Sequence, residues 1–564
     1  MKERNRIIVI GGVACGPKAA ARARRCDPQA KITVIEQGEF ISYAGCGLTY
    51  YIDGVIEVRN ALLSRTPQDF KKTMDIDVLT GTQVTSINRV AHQVETMDLK
   101  TGKRAVMDYD KLVLATGAKP VIPPIEGRDL QGIFTLKTIQ DAEAILSFIT
   151  SNKAQKAAIV GAGLIGIEAA ESLTSRGLKV TVVEALDWVL PTLLDAEVAA
   201  FLTRHLEDKG VNLLLSQMVT RFEGDGDGKV RYVVTKKTRV EADMVLLAIG
   251  VRPNVKLAKD AGLAIGVTGA ISVNDYLQTS DPDIYAGGDC VENTNLITGS
   301  KVYTPMGSTA NKHGRVIGTN ITGGQDSFPG VLGTAILKAF DCNVGRVGMS
   351  EIEARKAGFN VTTALVPAHE HAGYYPNNER ILVKLVSDTE THQIIGGQVV
   401  GRGEAAKRID VLATALTFGG KIETLANLDL GYAPPYNSAM DPLHHAANVI
   451  RNKCSGLAKA LRPAEVKGKI NKDEDFIFLD VRERDEWQEW RIEAPQIKLL
   501  PHPLLRKQLD KIPKDKEIVT LCLTSVRAYQ AQRTLEGAGF RNVKFVDGSL
   551  VAWPYETVGN SKEK

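Results

Sequence analysis

Lys156-Ala157-Ala158-Ile159-Val160-Gly161-Ala162-Gly163-Leu164-Ile165-Gly166-Ile167-Glu168 decides the fold. An apolar strand runs into three glycines spaced G-x-G-x-x-G, and small and apolar residues continue as a helix. A second strand over Lys179–Val183 ends in Glu184. Strand, glycine turn, helix, strand and acid make the first half of a doubly wound dinucleotide fold. Gly161, Gly163 and Gly166 permit a tight turn and let the backbone approach a pyrophosphate at the helix N-terminus. Glu184, 18 residues past Gly166, stands where a carboxylate accepts hydrogen bonds from a ribose diol. It would repel a 2′-phosphate, which favours NADH over NADPH.

The same pattern stands at the N-terminus. Arg6–Ile10 reads as a strand, Gly11-Gly12-Val13-Ala14-Cys15-Gly16 as the turn, and residues 19–25 as helix. Lys31–Ile35 is the second strand, closed by Glu36. Val13 replaces the middle glycine, while Gly11, Gly16 and the 20-residue step to Glu36 are kept. A repeat of this kind indicates two nucleotide domains in one chain. Two apolar strands end in matching turns, one at Ala115-Thr116-Gly117 and one at Ala248-Ile249-Gly250. Ile284-Tyr285-Ala286-Gly287-Gly288-Asp289 then reads as a return to the first domain, so the second domain is inserted into the first. A carboxylate at Asp289 suits a ribityl hydroxyl of a flavin.

The expected division is 1–150 and 272–329 for the first domain and 151–271 for the NADH domain. Alternating runs at 381–386 and 394–400 beside a helical stretch at 405–416 set 330–450 apart as an α+β domain. Residues 451–465 are basic without a strand pattern and read as a linker. Residues 466–564 carry strands at 476–481, Glu517–Leu521 and Val543–Val546 with a loop and a helix, a small independent α/β domain.

Composition narrows the function. The 564 residues carry a net charge of +4, from 70 basic and 66 acidic side chains. That balance gives no reason to expect nucleic acid or a membrane as partner. No apolar run reaches the roughly 18 residues of a membrane span. The basic start followed by Ile7–Ile10 resembles a signal peptide, but it runs straight into a glycine turn and reads as a strand. Seven scattered cysteines are no disulfide framework and favour a reducing cytoplasm.

Cys46 stands in Ser42-Tyr43-Ala44-Gly45-Cys46-Gly47-Leu48, ten residues past Glu36. Small neighbours leave the backbone open to close approach, and residues 48–53 can begin a helix whose N-terminus favours a thiolate. No second cysteine lies within five residues, so a local redox disulfide is excluded. Cys46 is left with a mixed disulfide, a persulfide or a sulfenic acid. Cys15, in the first turn, lies too early for that role. Cys522 has an exposed look and starts a loop, Cys522-Leu523-Thr524-Ser525-Val526-Arg527. Two dinucleotide sites and one unpartnered cysteine suggest electrons moving from a nicotinamide to a flavin to one sulfur, and Cys522 suggests that sulfur is delivered to that route.

These residues resemble the single-cysteine branch of the pyridine nucleotide-disulfide oxidoreductases. The likeness is nearest to coenzyme A-disulfide reductases fused to a rhodanese domain, including NADH-dependent persulfide reductases. Its carriers are Ser42, Cys46-Gly47-Leu48, Tyr50-Tyr51, residues 161–168, residues 286–289 and Tyr432-Ala433-Pro434-Pro435-Tyr436. The resemblance implies two interleaved doubly wound α/β domains, an α+β dimerisation domain and a C-terminal rhodanese-like α/β domain. It implies FAD at Gly11, Gly12, Ala14, Gly16, Glu36, Ser42, Thr116, Gly117, Gly288 and Asp289, with Thr309 and Lys312 alongside. It implies NADH at Gly161, Gly163, Gly166, Glu184 and Gly250, and no metal. The first-helix set Arg22, Arg24 and Arg25 is placed to meet coenzyme A phosphates, with Lys71 and Lys72 weaker candidates and Ser42 near the bound thiol. A homodimer would send Tyr374 and Tyr432 into the partner's active site to protonate a leaving thiolate.

Gly45 departs from the asparagine frequent in that family, and Cys15 from a glycine. Adjacent His444 and His445 point to different faces of a helix, which suits packing better than a metal. The loop 522–527 resembles the rhodanese active loop, in which backbone N–H groups surround one sulfur and stabilise a persulfide. Leu479-Asp480-Val481-Arg482-Glu483 and the segment from Gly548 to Trp553 match the same domain, whereas Trp490-Arg491-Ile492 stands where Gly-His-Ile is common. Arg527 would brace the loop or hold an anionic substrate. The activity implied is NADH-driven reduction of coenzyme A disulfide, coenzyme A persulfide or polysulfide through Cys46, with Cys522 handling sulfane sulfur. The alternative is an NADH oxidase or peroxidase cycling Cys46 through sulfenic acid, a chemistry with no need of a sulfur carrier. A rival of another class is a redox-sensing scaffold whose C-terminal domain binds a partner.

Overall fold

A computed structural model describes residues 5–559. The basic residues 1–4 of the signal-like start lie outside them, as do residues 560–564 of the last domain; Arg6–Ile10 is the strand the pattern predicts. The chain forms two compact units, one of residues up to Ala185 with Gln217–Val331, the other of Leu186–Ser216 with the residues from Leu332 onward.

The first unit is built on the repeat. Its first sheet is parallel, in the order Ile284–Ala286, Lys111–Leu114, Arg6–Ile10, Lys31–Ile35, Asp77–Leu79. Ile and Val dominate these strands because helices and loops cover both faces of a parallel sheet. The strand Ile284–Ala286 sits beside Lys111–Leu114, so the chain does return to its first sheet after the second. In the second sheet Lys156–Val160 lies between Lys179–Val183 and Met244–Leu247, again parallel. The two crossings between sheets run side by side, Ala118–Pro120 pairing antiparallel with Val251–Pro253. The architecture is the interleaved pair of doubly wound domains that the motifs imply.

The second unit holds a five-stranded antiparallel sheet in the order Ala335–Ala339, Cys342–Gly348, Ile394–Gly401, Arg380–Asp388, Val361–His369. The helices Ala406–Thr417 and Pro442–Cys454 belong to the same domain. Lys384, in its central region and 1% exposed, is ringed by Asp195 at 3.0 Å, Glu197 at 3.2 Å and Glu351 at 2.9 Å. Burial opposes its charge, but Glu197, Asp195 and Glu351 overcome that and hold the ammonium well above its ordinary pKa. Residues 186–216, read from sequence with the NADH domain, group with this unit. The Asp195 amide donates to Gln398 Oε1 at 2.9 Å and the Arg346 guanidinium to the Thr192 carbonyl at 2.6 Å.

The C-terminal domain is a parallel sheet in the order Ala460–Leu461, Val543–Val546, Glu517–Leu521, Phe476–Asp480, Ile497–Leu499. The stretch 451–465 is therefore not a free linker. The helix Pro442–Cys454 runs into it, Ala460–Leu461 forms an edge of the sheet, and the helix Pro463–Asn471 begins in it. A two-residue edge strand carries no alternation that a sequence pattern can register. Among the described residues no helix is long and apolar enough to cross a membrane, and no three His, Cys, Asp or Glu side chains cluster in a way that could hold a metal ion.

Candidate functional site

The two glycine turns are closed by the same contacts. Gly11 has φ of +108°, and a Cβ on it would lie 2.1 Å from the Ala115 carbonyl oxygen; a Cβ on Gly16 would lie 1.9 Å from the Gly11 oxygen. In the second turn the corresponding approaches are 2.6 Å from Gly161 to Ala248 and 2.0 Å from Gly166 to Gly161. Gly12 N–H donates to Glu36 at 2.6 Å, and Ala162 N–H donates to Glu184 at 2.7 Å. Glu36 accepts a second bond from Gly38 N–H at 2.7 Å. Each turn leads into a helix, Cys15–Cys26 from Ala14 and Leu164–Ser175 from Gly163, with no side-chain cap. Two helix N-termini that keep their leading N–H groups clear of side chains fit two pyrophosphates.

The other residues expected at the flavin are tied to their neighbours. Gly288, at φ of +77°, donates its N–H to His313 Nδ1 at 3.1 Å. Burial pushes the His313 imidazole down to about 4, so it is a neutral acceptor at ordinary pH. Half-buried Asp289 meets Lys137 at 3.3 Å. Thr116 and Asn254 exchange bonds, hydroxyl to carbonyl at 2.7 Å and amide to carbonyl at 2.9 Å, which ties Gly117 and the crossing beyond Gly250 together. Thr309 is buried on the helix Gly307–Asn320, and Lys312 on that helix is exposed. Cys15 is buried, and burial, then Cys290 and Asp289, push its thiol up, which suits an inert packing group.

Ser42 joins this cradle to Cys46. Its amide donates to the Gly12 carbonyl at 2.7 Å, and its φ of +49° is left-handed without being glycine. Such backbone costs about 1–3 kcal/mol and gathers at functional sites. Cys46 is exposed in the turn Gly45–Gly47, and the helix Leu48–Asp53 follows, as the sequence predicts. A Cβ on Gly45 would meet nothing within 4 Å, whereas one on Gly47 would strike Leu62 at 2.7 Å.

The cysteine helix packs on the dinucleotide helix Leu164–Ser175. Ser172 Oγ donates to the Thr49 carbonyl at 2.9 Å, and Thr49 Oγ1 donates to Glu168 at 3.4 Å. Burial pushes the Glu168 carboxyl up to about 7. Burial, then the charges of Glu168, Glu171 and Cys46, push the Tyr50 phenol up. Cys46, Tyr50 and Glu168 thus share one electrostatic neighbourhood. Sequence reading passed over Glu168 as a titrating group; its place two residues past Gly166 was the available signal.

Of the basic candidates, Arg22 is half-buried and donates to Thr319 at 3.0 Å, and Arg25 is exposed. Arg24 donates to the Met74, Asp75 and Pro28 carbonyls and is a structural brace. Lys71 is exposed and pairs with Asp75 at 2.6 Å and Asp77 at 2.9 Å, carboxylates that compete with an anion for it.

In the second unit the structure brings Tyr374 and Tyr432 together. Both are exposed, and their hydroxyls lie 3.4 Å apart. The contact with Tyr432 pushes the Tyr374 phenol up. His444 caps its own helix: Nδ1 accepts from the Asp441 amide at 3.1 Å, leaving Nε2–H for the Leu428 carbonyl at 3.0 Å.

Cys522, for all its exposed look in sequence, is 1% exposed. It directly follows the strand Glu517–Leu521, and the backbone of 548–553 closes over it, Leu550 N–H donating to the Cys522 carbonyl at 3.2 Å. Arg527 grips Glu486 through two bonds of 2.6 Å. Arg482, buried, pairs with buried Asp480 at 2.7 Å and donates to the Glu486 carbonyl at 3.2 Å. Of the two roles offered by sequence, bracing is the one these contacts with Glu486 favour for Arg527.

Three family profiles cover most of the chain. The pyridine nucleotide-disulphide oxidoreductase profile matches residues 5–310, its dimerisation domain residues 334–444, and the rhodanese-like domain residues 462–555. The chain belongs to the pyridine nucleotide-disulphide oxidoreductases. As a member it is an NAD(P)H-dependent flavoprotein enzyme, and the resemblance drawn from its motifs is borne out. The structure of an NAD-dependent persulfide reductase from A. fulgidus is similar over 97% of this chain and 100% of that one, with 44% identity and a TM-score of 0.92. A Methanocaldococcus jannaschii protein named NADH oxidase is 40% identical over 80% of this chain and 99% of its own. A Pyrococcus horikoshii NAD(P)H coenzyme A polysulfide/persulfide reductase is 38% identical over 79% of this chain and 99% of its own.

Proposed function

We propose that this enzyme uses NADH to reduce coenzyme A disulfide, coenzyme A persulfide or polysulfide at Cys46, and that Cys522 carries sulfane sulfur on the same route. One observation carries the reading. The C-terminal domain carries a rhodanese-like loop from Cys522 to Arg527, with Leu523 at a usually polar position and Arg527 held by Glu486, which a purely oxygen-reducing enzyme would not need. The similarity to the Pyrococcus coenzyme A enzyme and the A. fulgidus persulfide reductase supports it.

FAD, when bound, supplies a two-electron relay between nicotinamide and sulfur. The turn at Gly11–Gly16 with Glu36, Ser42, Gly288 and Asp289 would hold it, and the turn at Gly161–Gly166 with Glu184 would hold NADH. The Cys46 thiolate attacks one sulfur of an S–S bond. That bond breaks, the departing half takes a proton and leaves as thiol, and Cys46 is left in a mixed disulfide or persulfide. Two electrons from NADH then return Cys46 to thiolate and release the second half as thiol or hydrosulfide. Glu168 holds a proton near neutral pH beside the helix that follows Cys46. Arg25 and Arg22 are the choices for the coenzyme A phosphates, and Lys71 contributes least. In a homodimer, which the dimerisation-domain match supports, the Tyr374–Tyr432 pair would protonate the leaving thiolate in the partner's site.

The Methanocaldococcus relative's name keeps oxidase chemistry as the second reading. Anaerobic NADH oxidation with coenzyme A disulfide, coenzyme A persulfide and polysulfide separates the two, comparing wild type with Cys46→Ser and Cys522→Ser. Fast turnover lost in Cys46→Ser supports the sulfur reductase. A Cys522→Ser defect confined to polysulfide puts the C-terminal domain on the route. NADH consumption only when air is admitted would give the oxidase reading.

A further inference from the structure

Ser549 is fully buried and left-handed, with φ of +48°. A non-glycine residue adopts this conformation uncommonly, and strained backbone of this kind gathers at functional sites. Its hydroxyl lies 3.8 Å from Cys522 Sγ, within hydrogen-bond reach for sulfur, and accepts the Cys522 N–H at 3.3 Å. It also donates to the Val546 carbonyl at 3.3 Å. That carbonyl does not depend on it, since the Ser525 hydroxyl donates to the same oxygen at 3.0 Å and the Ser549 N–H at 3.2 Å. The Ser549 proton can therefore turn from Val546 to sulfur without leaving a buried carbonyl unpaired.

We propose that Ser549 is the hydrogen-bond donor to the Cys522 thiolate in sulfur transfer, a role resting on the sulfur-carrying reading of Cys522. With a neutral thiol the hydroxyl proton stays on the Val546 carbonyl. When Cys522 loses its proton the hydroxyl rotates and donates to Sγ. The thiolate then attacks the outer sulfur of a persulfide R–S–SH. The donor's S–S bond breaks, a Cys522–S–SH bond forms, and R–S⁻ takes up the proton that Cys522 lost. The sulfane sulfur keeps its oxidation state, so no oxidant or reductant is consumed.

The left-handed backbone supplies a test that separates chemistry from packing. Ser549→Gly removes the hydroxyl while relieving the backbone; Ser549→Ala removes the hydroxyl and keeps the strain. In the holoenzyme at fixed pH, alkylation of Cys522 and its persulfidation by inorganic polysulfide are followed by mass spectrometry of the Cys522 peptide. The Cys46 peptide serves as internal reference. Both variants are expected to slow both reactions about tenfold, the lower end for a hydrogen bond to a charged group. Wild-type rates in Ser549→Gly would overturn the proposal, because the hydroxyl that receives the Cys522 N–H and reaches Sγ would then be dispensable. If no persulfide forms on Cys522 even in wild type while both variants still slow alkylation, the sulfur-carrying reading falls and the Ser549 contact to the thiolate stands.

Discussion

Glu168→Gln tests the link between the cysteine helix and the dinucleotide helix. Burial lifts the Glu168 carboxyl from an ordinary 4.5 to about 7; the Thr49 bond pulls the other way and the Glu171 charge adds to the lift. A rise of that size corresponds to about 3 kcal/mol of differential interaction between the protonated and ionised forms. Between those two values the folded protein keeps a proton that the unfolded chain has lost. Stability therefore falls as pH rises through the window, with the whole penalty present above about pH 7 and none below about pH 4. Glutamine keeps an oxygen for the Thr49 hydroxyl and cannot ionise. Potentiometric difference titration should find wild type releasing about one more proton per chain than the variant between about pH 6 and 8. Hydrogen exchange in the helix Leu48–Asp53 should slow in the variant at high pH and match wild type at low pH, which reports local opening without assuming a two-state chain. Identical proton release in the two proteins would refute the reasoning.

Replacing Glu184 by serine removes the carboxylate beside Ala162 N–H, and the NADPH-to-NADH ratio of kcat/KM should rise about 10- to 100-fold, the range of a hydrogen bond to a charged group. Glu486→Gln forfeits one charged partner of Arg527; Cys522 persulfidation should slow about tenfold while Cys46 alkylation holds, as read from the two peptides. Tyr374→Phe and Tyr432→Phe should each lower turnover by up to about 100-fold, with the double variant no worse than the worse single, because hydroxyls 3.4 Å apart act as a unit. Additive losses in that cycle would show two independent roles.

What sequence displays and what it hides divide along one line. The glycine turns, Cys46, Cys522 and the Tyr374 and Tyr432 motifs are local patterns, and local patterns survive without coordinates. Glu168 titrates near neutrality because a helix more than a hundred residues earlier in the chain covers it, and nothing in Ile167-Glu168-Ala169 says so. The exposed look of Cys522 fails for the same reason, since the segment that buries it begins at Gly548. Ser549 lay inside a segment matched for its glycine and tryptophan, and its left-handed backbone beside Cys522 appears only in three dimensions.

The repeat shows why the first turn can carry Val13 where the second has Gly163. The outer glycines of both turns are packing requirements. A Cβ on Gly16 or Gly166 would lie 1.9 Å or 2.0 Å from a backbone oxygen that cannot move without breaking the turn. The middle position is different, since a Cβ on Gly163 would have no protein atom nearer than 4.0 Å. The room at Gly163 thus faces something other than protein, as a glycine does when its purpose is close approach to a pyrophosphate. Gly163→Ala should therefore fold and bind flavin as wild type does, yet weaken NADH binding measured as KM. Gly166→Ala should lose soluble, flavin-loaded protein altogether. A Gly163→Ala enzyme with an unchanged KM for NADH would mean that the second turn, like the first, tolerates a side chain at its middle position with the nucleotide in place.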